Sequence, residues 1–333
     1  MTENVVRFGI LGAARIAPMA LLRPAARNPE ATVAMVAARD PSRAEAFAKK
    51  HGIAKVAKSY EALIEAPDLD ADYIPLPNSL QAESTMAAQV AGKHVLCEKP
   101  FTSNAKEAEV VAEASRLAAE QSRLVVAEAF HYRYHPLARR MVEIVTSGQL
   151  GTVRHIEAWL CAPIHDKSDI RYQLPLAGGA MMDMGCYVVN MARMLAGGEP
   201  QVRSARAKLH GADIDRAMTA ELEFAGGLTA TVHCSMWSSS VLRVAARATG
   251  DEGEMRVLNP TSPQFLSVVR VRSGRRRHRE IPSRRPTYAF QLDAFCDAVL
   301  RGSDLVTTPT DAVMNMKVID AVYEAAGLRP RGT

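Results

Sequence analysis

A lysine and a glutamate stand together at the end of a short apolar run, in the segment HVLCEKP (residues 94–100). The apolar residues predict a buried strand that ends at Glu98 and Lys99. Ligands of an open parallel sheet bind beyond the carboxyl ends of its strands, so a lysine there can take part in chemistry. For this fragment alone, the alternative is a solvated strand end with an ordinary ion pair.

Two more groups that can exchange protons lie in the segment GGAMMDMGCY (residues 178–187). Asp183 and Tyr187 are four residues apart, and on the predicted helix they share one face. The glycine pair at its start makes the entry to this helix flexible. The alternative is a helix-start carboxylate and a tyrosine buried for packing.

The amino-terminal part has the pattern of a dinucleotide site. An apolar strand at residues 5–11 runs into GAARIA (residues 12–17), a degenerate form of G-x-G-x-x-G/A in which Ala14 takes the second glycine position. Gly12, Ala14, Arg15 and Ile16 are therefore candidate cofactor contacts. The alternative is a strand-to-helix turn of small residues without a ligand.

The residue after the next predicted strand, residues 31–38, suggests which dinucleotide binds. Arg39 stands where an NAD site would hold an acidic side chain, and a guanidinium can stack on adenine and bind a 2′-phosphate. We therefore favour NADP, while the adjacent Asp40 keeps NAD possible.

Further polar residues follow predicted strands at residues 71–74 and 124–127. Pro77 and Asn78 come after the first strand and, like Glu98 and Lys99, are candidate cofactor contacts; Glu128 comes after the second strand. Helical patterns separate these strands, which is typical of a doubly wound parallel sheet. From residue 152 onward, successive alternating strands with glycine-rich or charged turns predict a large open sheet, mainly antiparallel. We expect an α/β fold with domains at residues 1–127 and 128–333.

These motifs together resemble the Gfo/Idh/MocA oxidoreductase family over essentially the whole chain. The likeness is carried by GILG (9–12), YIPLPN (73–78), EKP (98–100), HYRYHP (131–136) and the Asp183 to Tyr187 segment. It implies an N-terminal Rossmann domain, a nicotinamide cofactor, Lys99 as catalytic lysine and a cis bond to Pro100. Tyr187, where many relatives carry histidine, resembles the branch of glucose-fructose oxidoreductase, dimeric dihydrodiol dehydrogenase and NADP-dependent xylose dehydrogenase.

The catalytic hypothesis assigns one role to each candidate group. A phenol is a poor base at neutral pH unless a cation stabilises its phenolate. In this hypothesis Tyr187 exchanges a proton with the substrate oxygen, Lys99 holds that oxygen and stabilises the phenolate, and Asp183 orients the substrate. Whether Lys99 is instead the base stays open. Two rival functions also stay open: a non-catalytic NADP-binding sensor, and a transient-redox enzyme that retains its cofactor.

The substrate is expected to be a sugar-like molecule or a cyclic diol, oxidised or reduced at a secondary alcohol, hemiacetal or carbonyl. The polar and aromatic residues chosen as candidate substrate contacts are Arg133, Arg171, Tyr172 and Trp237. Surface or packing roles are the alternative for each. The histidines lack ligand spacing, so no metal is predicted.

Composition bounds the cellular context. Five scattered cysteines favour a reducing compartment, and no signal or membrane segment is recognisable, so we expect a cytoplasmic protein. The charge of +5 is concentrated in residues 270–285, where eight arginines oppose Glu280. That segment predicts a solvated or subunit-contacting hairpin, with capture of an anionic substrate group as the alternative and no nucleic-acid partner expected. The resemblance implies a homodimer or homotetramer.

Overall fold

The computed structural model describes residues 5–333, which divide into two compact units. The first unit runs to Thr102 and adds Lys106–His131 and Tyr288–Val313. The second unit comprises Ser103–Ala105, Tyr132–Thr287 and Met314–Thr333. The predicted boundary after residue 127 divides the chain into two continuous parts. In the structure, the first unit also contains Tyr288–Val313, and the second unit also contains Ser103–Ala105.

The first unit contains a six-stranded parallel sheet in the order β3-β2-β1-β4-β5-β6. Its strands are β1 (Val6–Leu11), β2 (Ala31–Ala37), β3 (Lys55–Val56), β4 (Ala71–Ile74), β5 (His94–Cys97) and β6 (Val126–Glu128). The helices between them are α1 (Arg23–Ala25), α2 (Pro41–His51), α3 (Tyr60–Ile64), α4 (Asn78–Val90) and α5 (Ala105–Ser122). The strand order reverses between β1 and β4, and this switch point is where such sheets bind dinucleotides. The predicted doubly wound sheet is confirmed.

A helix from late in the chain completes the first unit. Helix α8 (Thr287–Arg301) contributes Leu292, Phe295 and Cys296 to the same buried cluster as Phe8 and Ile10 of β1. The rings of Phe8 and Phe295 lie 5.7 Å apart, and both side chains are fully buried or nearly so. Burying one such side chain contributes about 1.5–3 kcal/mol. Helix α8 is therefore part of the core of the first unit.

The second unit contains an eight-stranded sheet in the order β14-β13-β12-β11-β7-β10-β9-β8. Its strands are β7 (Val153–Cys161), β8 (Gln201–His210), β9 (Ile214–Glu223), β10 (Thr229–Ser235), β11 (Arg243–Gly250), β12 (Gly253–Leu258), β13 (Val268–Ser273) and β14 (Arg276–Glu280). Only β7 and β10 pair in parallel, so the predicted mainly antiparallel sheet is confirmed. The helices are α6 (Pro136–Thr146), α7 (Cys186–Ala196) and α9 (Pro309–Ala325), which begins in the first unit.

Two segments of the described residues have π-helical geometry. Pro18–Leu22, after the glycine turn of β1, and Met181–Gly185, directly before α7, are π-helical turns. Such turns often occur at functional sites. None of the helices within residues 5–333 is long and apolar enough to cross a membrane.

One carboxyl of the first unit is buried without hydrogen-bond partners. Asp72 of β4 has no exposed surface, and neither carboxylate oxygen accepts a hydrogen bond. Gly9 on β1 leaves room for it, because a Cβ there would lie 2.8 Å from Asp72 Oδ1. Burial raises the pKa of Asp72 to about 7, although Lys93 opposes the shift. The ionised form of Asp72 therefore opposes folding.

Replacing this carboxyl should alter the pH dependence of stability. An unfolded Asp titrates near pH 3.9, so between about pH 4 and pH 7 the folded state binds the extra proton and stability falls as pH rises. Asp72→Asn should remove that loss, which is on the order of 2–4 kcal/mol at pH 8. Urea unfolding at pH 5 and pH 8 measures it.

Asp70→Asn is the matched control, because Asp70 is two residues away and pairs with Arg7 at 2.7 Å. The pKa of Asp70 is lowered although burial acts to raise it, since its hydrogen bonds from Arg7 prevail. Its contribution is lost only at acidic pH. Equal slopes between pH 5 and pH 8 in wild type and Asp72→Asn would contradict the assignment.

Candidate active site

The turn after β1 fits a dinucleotide pyrophosphate. Gly12 has a positive φ of 112°, its N–H donates to Ala37 O at 2.7 Å, and a Cβ would lie 3.2 Å from Leu76. Gly12 is thereby pressed between the ends of β1, β2 and β4. Ala14 and Ile16 are half-buried and Arg15 is exposed. A turn of this kind before a helical segment is where backbone N–H groups bind phosphates in dinucleotide sites.

Arg39 and Asp40, the two candidates for recognising the ribose, have different environments after β2. Asp40 caps α2: its Oδ1 accepts hydrogen bonds from Ser42 N at 2.9 Å and from Ser42 Oγ at 2.7 Å. These hydrogen bonds lower the pKa of Asp40. Arg39 is exposed, and its backbone N–H donates to the Tyr60 hydroxyl at 3.1 Å. The carboxylate of Asp40 is thus used within the fold, whereas Arg39 is exposed after β2.

Pro77 and Asn78 lie after β4, where the chain turns into α4. Pro77 is the N-cap residue, and Asn78 is the first residue of the helix. Gln81 donates to Leu76 O at 3.1 Å and fixes this turn from inside. Both predicted residues are half-buried next to the switch point between β1 and β4.

Lys99 is fixed by a network at the ends of β4, β5 and β6. The fully buried Tyr73 donates to Glu98 Oε1 at 2.8 Å, and Lys99 N donates to Glu98 Oε2 at 3.3 Å. Glu128 Oε1 accepts a hydrogen bond from Phe101 N at 3.0 Å. The bond from Lys99 to Pro100 is cis. Two buried carboxylates thus hold the backbone on both sides of the lysine.

His131 lies beside this network and stays neutral. Its ring packs against Tyr288 with centroids 4.0 Å apart, and 3% of the residue is exposed. Burial, with the nearby charge of Lys99, lowers the pKa of His131 to about 3. His131 therefore adds no positive charge next to Lys99 at neutral pH.

In the second unit, the predicted catalytic pair continues into a polar row. Asp183 lies in the π turn and Tyr187 in the first turn of α7, and Asn190 follows three residues later. Asn190 Oδ1 accepts hydrogen bonds from Tyr132 Oη at 2.7 Å and from Arg133 Nη1 at 3.2 Å. The Tyr132 and Tyr187 rings lie 6.0 Å apart. Asp183, Tyr187 and Asn190 have the spacing of one helix face.

Arg171 holds the side chain of Asp183. Its Nε lies 2.8 Å from Asp183 Oδ2, and its Nη1 lies 3.0 Å from Asp169 Oδ1. Asp183, followed by Asp169, raises the pKa of the Arg171 guanidinium despite its partial burial. The structure therefore gives Arg171, a predicted substrate contact, a direct contact with Asp183.

The other predicted substrate contacts occupy two places. Arg133 lies near Asn190, as described above. Tyr172 is buried, donates to Ile164 O at 3.0 Å and accepts a hydrogen bond from Lys167 at 2.8 Å. Trp237 is 42% exposed, and its ring lies 5.9 Å from Lys167 Nζ. Tyr172 and Trp237 thus share Lys167 as a neighbour.

Four residues of these contact networks, Tyr73, His131, Tyr288 and Asn190, were not predicted from the sequence. Asn190 had a signal, since it is polar within an apolar helix and lies seven residues after Asp183. The sequence around Tyr73 predicts only a buried strand residue. No sequence pattern near Tyr288 indicates its contact with His131. Among residues 5–333, no cluster of three His, Cys, Asp or Glu residues could hold a metal ion.

Two family models match successive parts of the chain. Residues 6–128 match the model described as "Oxidoreductase family, NAD-binding Rossmann fold", and residues 138–256 match the GFO/IDH/MocA C-terminal domain. Relatives include D-xylose 1-dehydrogenase (NADP(+)) 2 of Haloferax volcanii, 35% identical over 96% of this chain and 97% of that protein. Another is trans-1,2-dihydrobenzene-1,2-diol dehydrogenase of Bos taurus, 34% identical over 83% of this chain and 80% of that protein.

A solved structure extends the similarity to three dimensions. The 3-ketoreductase KijD10 of Actinomadura kijaniata, in complex with NADP and TDP-benzene, superposes with a TM-score of 0.89 at 28% identity, covering 97% of this chain and 98% of that one. The chain thus belongs to the GFO/IDH/MocA family of oxidoreductases, and its residues 6–128 form the NAD-binding Rossmann domain of that family.

Proposed function

We propose that this protein is an NADP-dependent oxidoreductase that interconverts a secondary alcohol or hemiacetal and a carbonyl on a sugar-like molecule or a cyclic diol. Two observations carry the proposal, one in each unit: the backbone N–H of Lys99 is hydrogen-bonded to Glu98 after β5, and Asp183 and Tyr187 lie together at the start of α7. The names of the relatives, a xylose dehydrogenase and a dihydrodiol dehydrogenase, support this substrate class.

In the proposed reaction, each group of the chain has one task. The nicotinamide, when bound, supplies or accepts the hydride. Tyr187 exchanges a proton with the reacting oxygen of the substrate, and Lys99 donates a hydrogen bond to that oxygen and stabilises the phenolate. Asp183, held by Arg171, accepts a hydrogen bond from the substrate and orients it.

Removing either proton-handling group should abolish most turnover. Lys99→Met and Tyr187→Phe should each lower kcat about 10²- to 10⁴-fold, the usual contribution of a placed acid or base. The binding of NADPH should change little, because neither change disturbs the turn at Gly12. Initial rates on a panel of aldoses, inositols, keto-sugars and cyclic diols, with nicotinamide fluorescence for binding, measure both effects.

Lys93→Met is the matched control. Lys93 precedes the same strand β5 at its opposite end, is buried, and donates to Leu69 O at 2.8 Å. This variant should lose stability and keep kcat within about twofold below its unfolding temperature. Near-normal turnover in both Lys99→Met and Tyr187→Phe would refute the proposed chemistry.

The preference for NADP is proposed from the different environments of Arg39 and Asp40. A charge-assisted hydrogen bond contributes about 1.5–3 kcal/mol, so Arg39→Ala should weaken NADPH binding about tenfold or more and leave NADH binding nearly unchanged. Fluorescence titration with both nucleotides measures this. Asp40→Asn, which retains an oxygen for the cap, is the control and should affect neither. An equal loss for both nucleotides in Arg39→Ala would exclude a role in reading the 2′-phosphate.

Arg133, Arg171, Tyr172 and Trp237 are proposed to line the substrate site. Arg133 and Arg171 are supported by their contacts with Asn190 and Asp183. The exposed ring of Trp237 suits stacking on a sugar or carbocyclic ring. We also propose a cytoplasmic location, supported by five buried cysteines that form no disulfide.

Assembly as a homodimer or homotetramer is proposed to use the eight-stranded sheet. One face of β12, β13 and β14 carries the exposed side chains of Arg256, Arg270 and Arg279, in register across the three strands. On β9, Glu221 and Glu223 lie on the same face of the sheet. In a two-fold pair the arginines of one copy can meet the glutamates of the other.

Charge reversal tests this interface. Arg270→Glu should reduce the mass of the assembly or raise its dissociation constant about tenfold, as measured by light scattering after gel filtration. Arg276→Glu is the control, because Arg276 lies on the opposite face of the same hairpin. A monomeric wild type, or equal effects of the two reversals, would remove the arginine face from the assembly.

A further inference from the structure

A fully buried ionic cluster lies behind the turn that leads to Asp183. Asp215 of β9 has no exposed surface, and Oδ1 lies 2.6 Å from Arg331 Nη2 and 3.0 Å from the hydroxyl of Tyr323 on α9. Arg331 also packs over the Tyr323 ring at 4.3 Å. The side chain of Arg331 is 3% exposed. All three residues belong to the second unit.

The cluster contacts the backbone that begins the catalytic helix. Met181 N donates to Asp215 Oδ2 at 2.7 Å, and Arg331 Nε donates to Gly178 O at 2.9 Å. Gly179, with φ of 131°, has no room for a side chain, since a Cβ would lie 2.1 Å from Asp215 Oδ1 and 2.7 Å from Tyr323 Oη. The start of the π turn is therefore pressed directly against the carboxylate.

The same turn is linked to both ends of the Arg171–Asp183 ion pair. Gly179 N donates to Arg171 O at 2.8 Å, and Asp183 N donates to Gly179 O at 3.0 Å. Gly178 also contacts this loop closely, since a Cβ there would lie 2.6 Å from Arg171 O. Moving residues 178–181 would therefore shift the Asp183 carboxylate and its Arg171 partner together.

Stability alone does not account for such a cluster. Burial raises the pKa of Asp215, although Arg331 and its hydrogen bonds oppose the shift. Buried ion pairs are often no more stabilising than apolar residues of the same volume. Unlike apolar residues, the Asp215 carboxylate forms directional hydrogen bonds. It accepts them from three donors in three separate segments of the chain, and so fixes the positions of these segments relative to one another.

We propose that Asp215, Arg331 and Tyr323 are positioning residues that fix the turn at residues 178–181, and so the placement of Asp183 and Tyr187 for proton exchange. This inference rests on the proposed function, because it assigns the cluster to the reaction of Asp183 and Tyr187. The cluster contacts neither substrate nor cofactor in this scheme and acts only through the helix start.

The test compares Asp215→Asn, Arg331→Met and the milder Tyr323→Phe with the control Arg193→Met. Arg193 is a buried arginine paired with Glu199 at 2.7 Å, near the opposite end of the same helix α7. Asp215→Asn and Arg331→Met should lower kcat about 10- to 100-fold, since misplacement of about 1 Å can cost 10²-fold. Tyr323→Phe should lower it about threefold or more, with KM for NADPH within about twofold.

Two readouts separate positioning from general destabilisation. The midpoint of the pH profile of kcat should move in the cluster variants and stay in place in Arg193→Met, even where the control loses as much thermal stability. If the cluster variants keep wild-type kcat and pH profile at a temperature where they are folded, or if Arg193→Met matches their losses, the positioning role is overturned.

Hydrogen exchange keeps the test independent of any substrate. Amides of residues 181–187 should exchange about tenfold faster in Arg331→Met and Tyr323→Phe than in wild type or Arg193→Met. Unchanged exchange overturns the inference whatever the activity is. Absence of turnover by wild type on the whole substrate panel, with faster local exchange in the variants, would instead count against the proposed function.

Discussion

Burying Glu98 beside Lys99 requires a hydrogen-bond donor inside the sheet, and the hydroxyl of Tyr73 on the adjacent strand β4 provides it. A carboxylate without such a donor would favour protonation, as Asp72 one residue earlier illustrates. The same Glu98 carboxylate also accepts the backbone N–H of Lys99, so this contact helps to place the lysine.

In the second unit, other residues hold a half-buried carboxylate and the backbone next to it. Asp183 is half-buried and is held by Arg171, while the backbone before it is held by a carboxylate from another strand. In both units, a side chain proposed for the reaction lies next to a regular element, and its neighbours in the sequence are hydrogen-bonded to residues from elsewhere in the fold. Precision of this kind depends on groups that are distant in sequence, and glycine makes the close approach possible at residue 179.

Local patterns predicted much of this protein, for identifiable reasons. The ends of β1, β2, β4 and β5 could be read because a parallel strand is a short apolar run and its end is marked by polar residues or glycine. The helical face of Asp183 and Tyr187 followed from spacing alone. The roles of Tyr73, Tyr288 and Asp215 could not be read, because each depends on a partner brought near only by tertiary structure. The π turn also escaped prediction, since no sequence pattern distinguishes it from α-helix.

The six-stranded sheet depends on helix α8, which lies far along the chain, to complete its core. Phe8 on the first strand is covered by Phe295, so the nucleotide-binding sheet cannot finish its core until a segment beyond the whole second sheet has been synthesised. During translation, the apolar face of β1 stays uncovered until α8 has been synthesised. The nascent chain can bind chaperones or self-associate through this face. The same dependence affects chimeras of two relatives joined near residue 128. In such a chimera, the six-stranded sheet would come from one relative and the α8 helix that packs on it from the other.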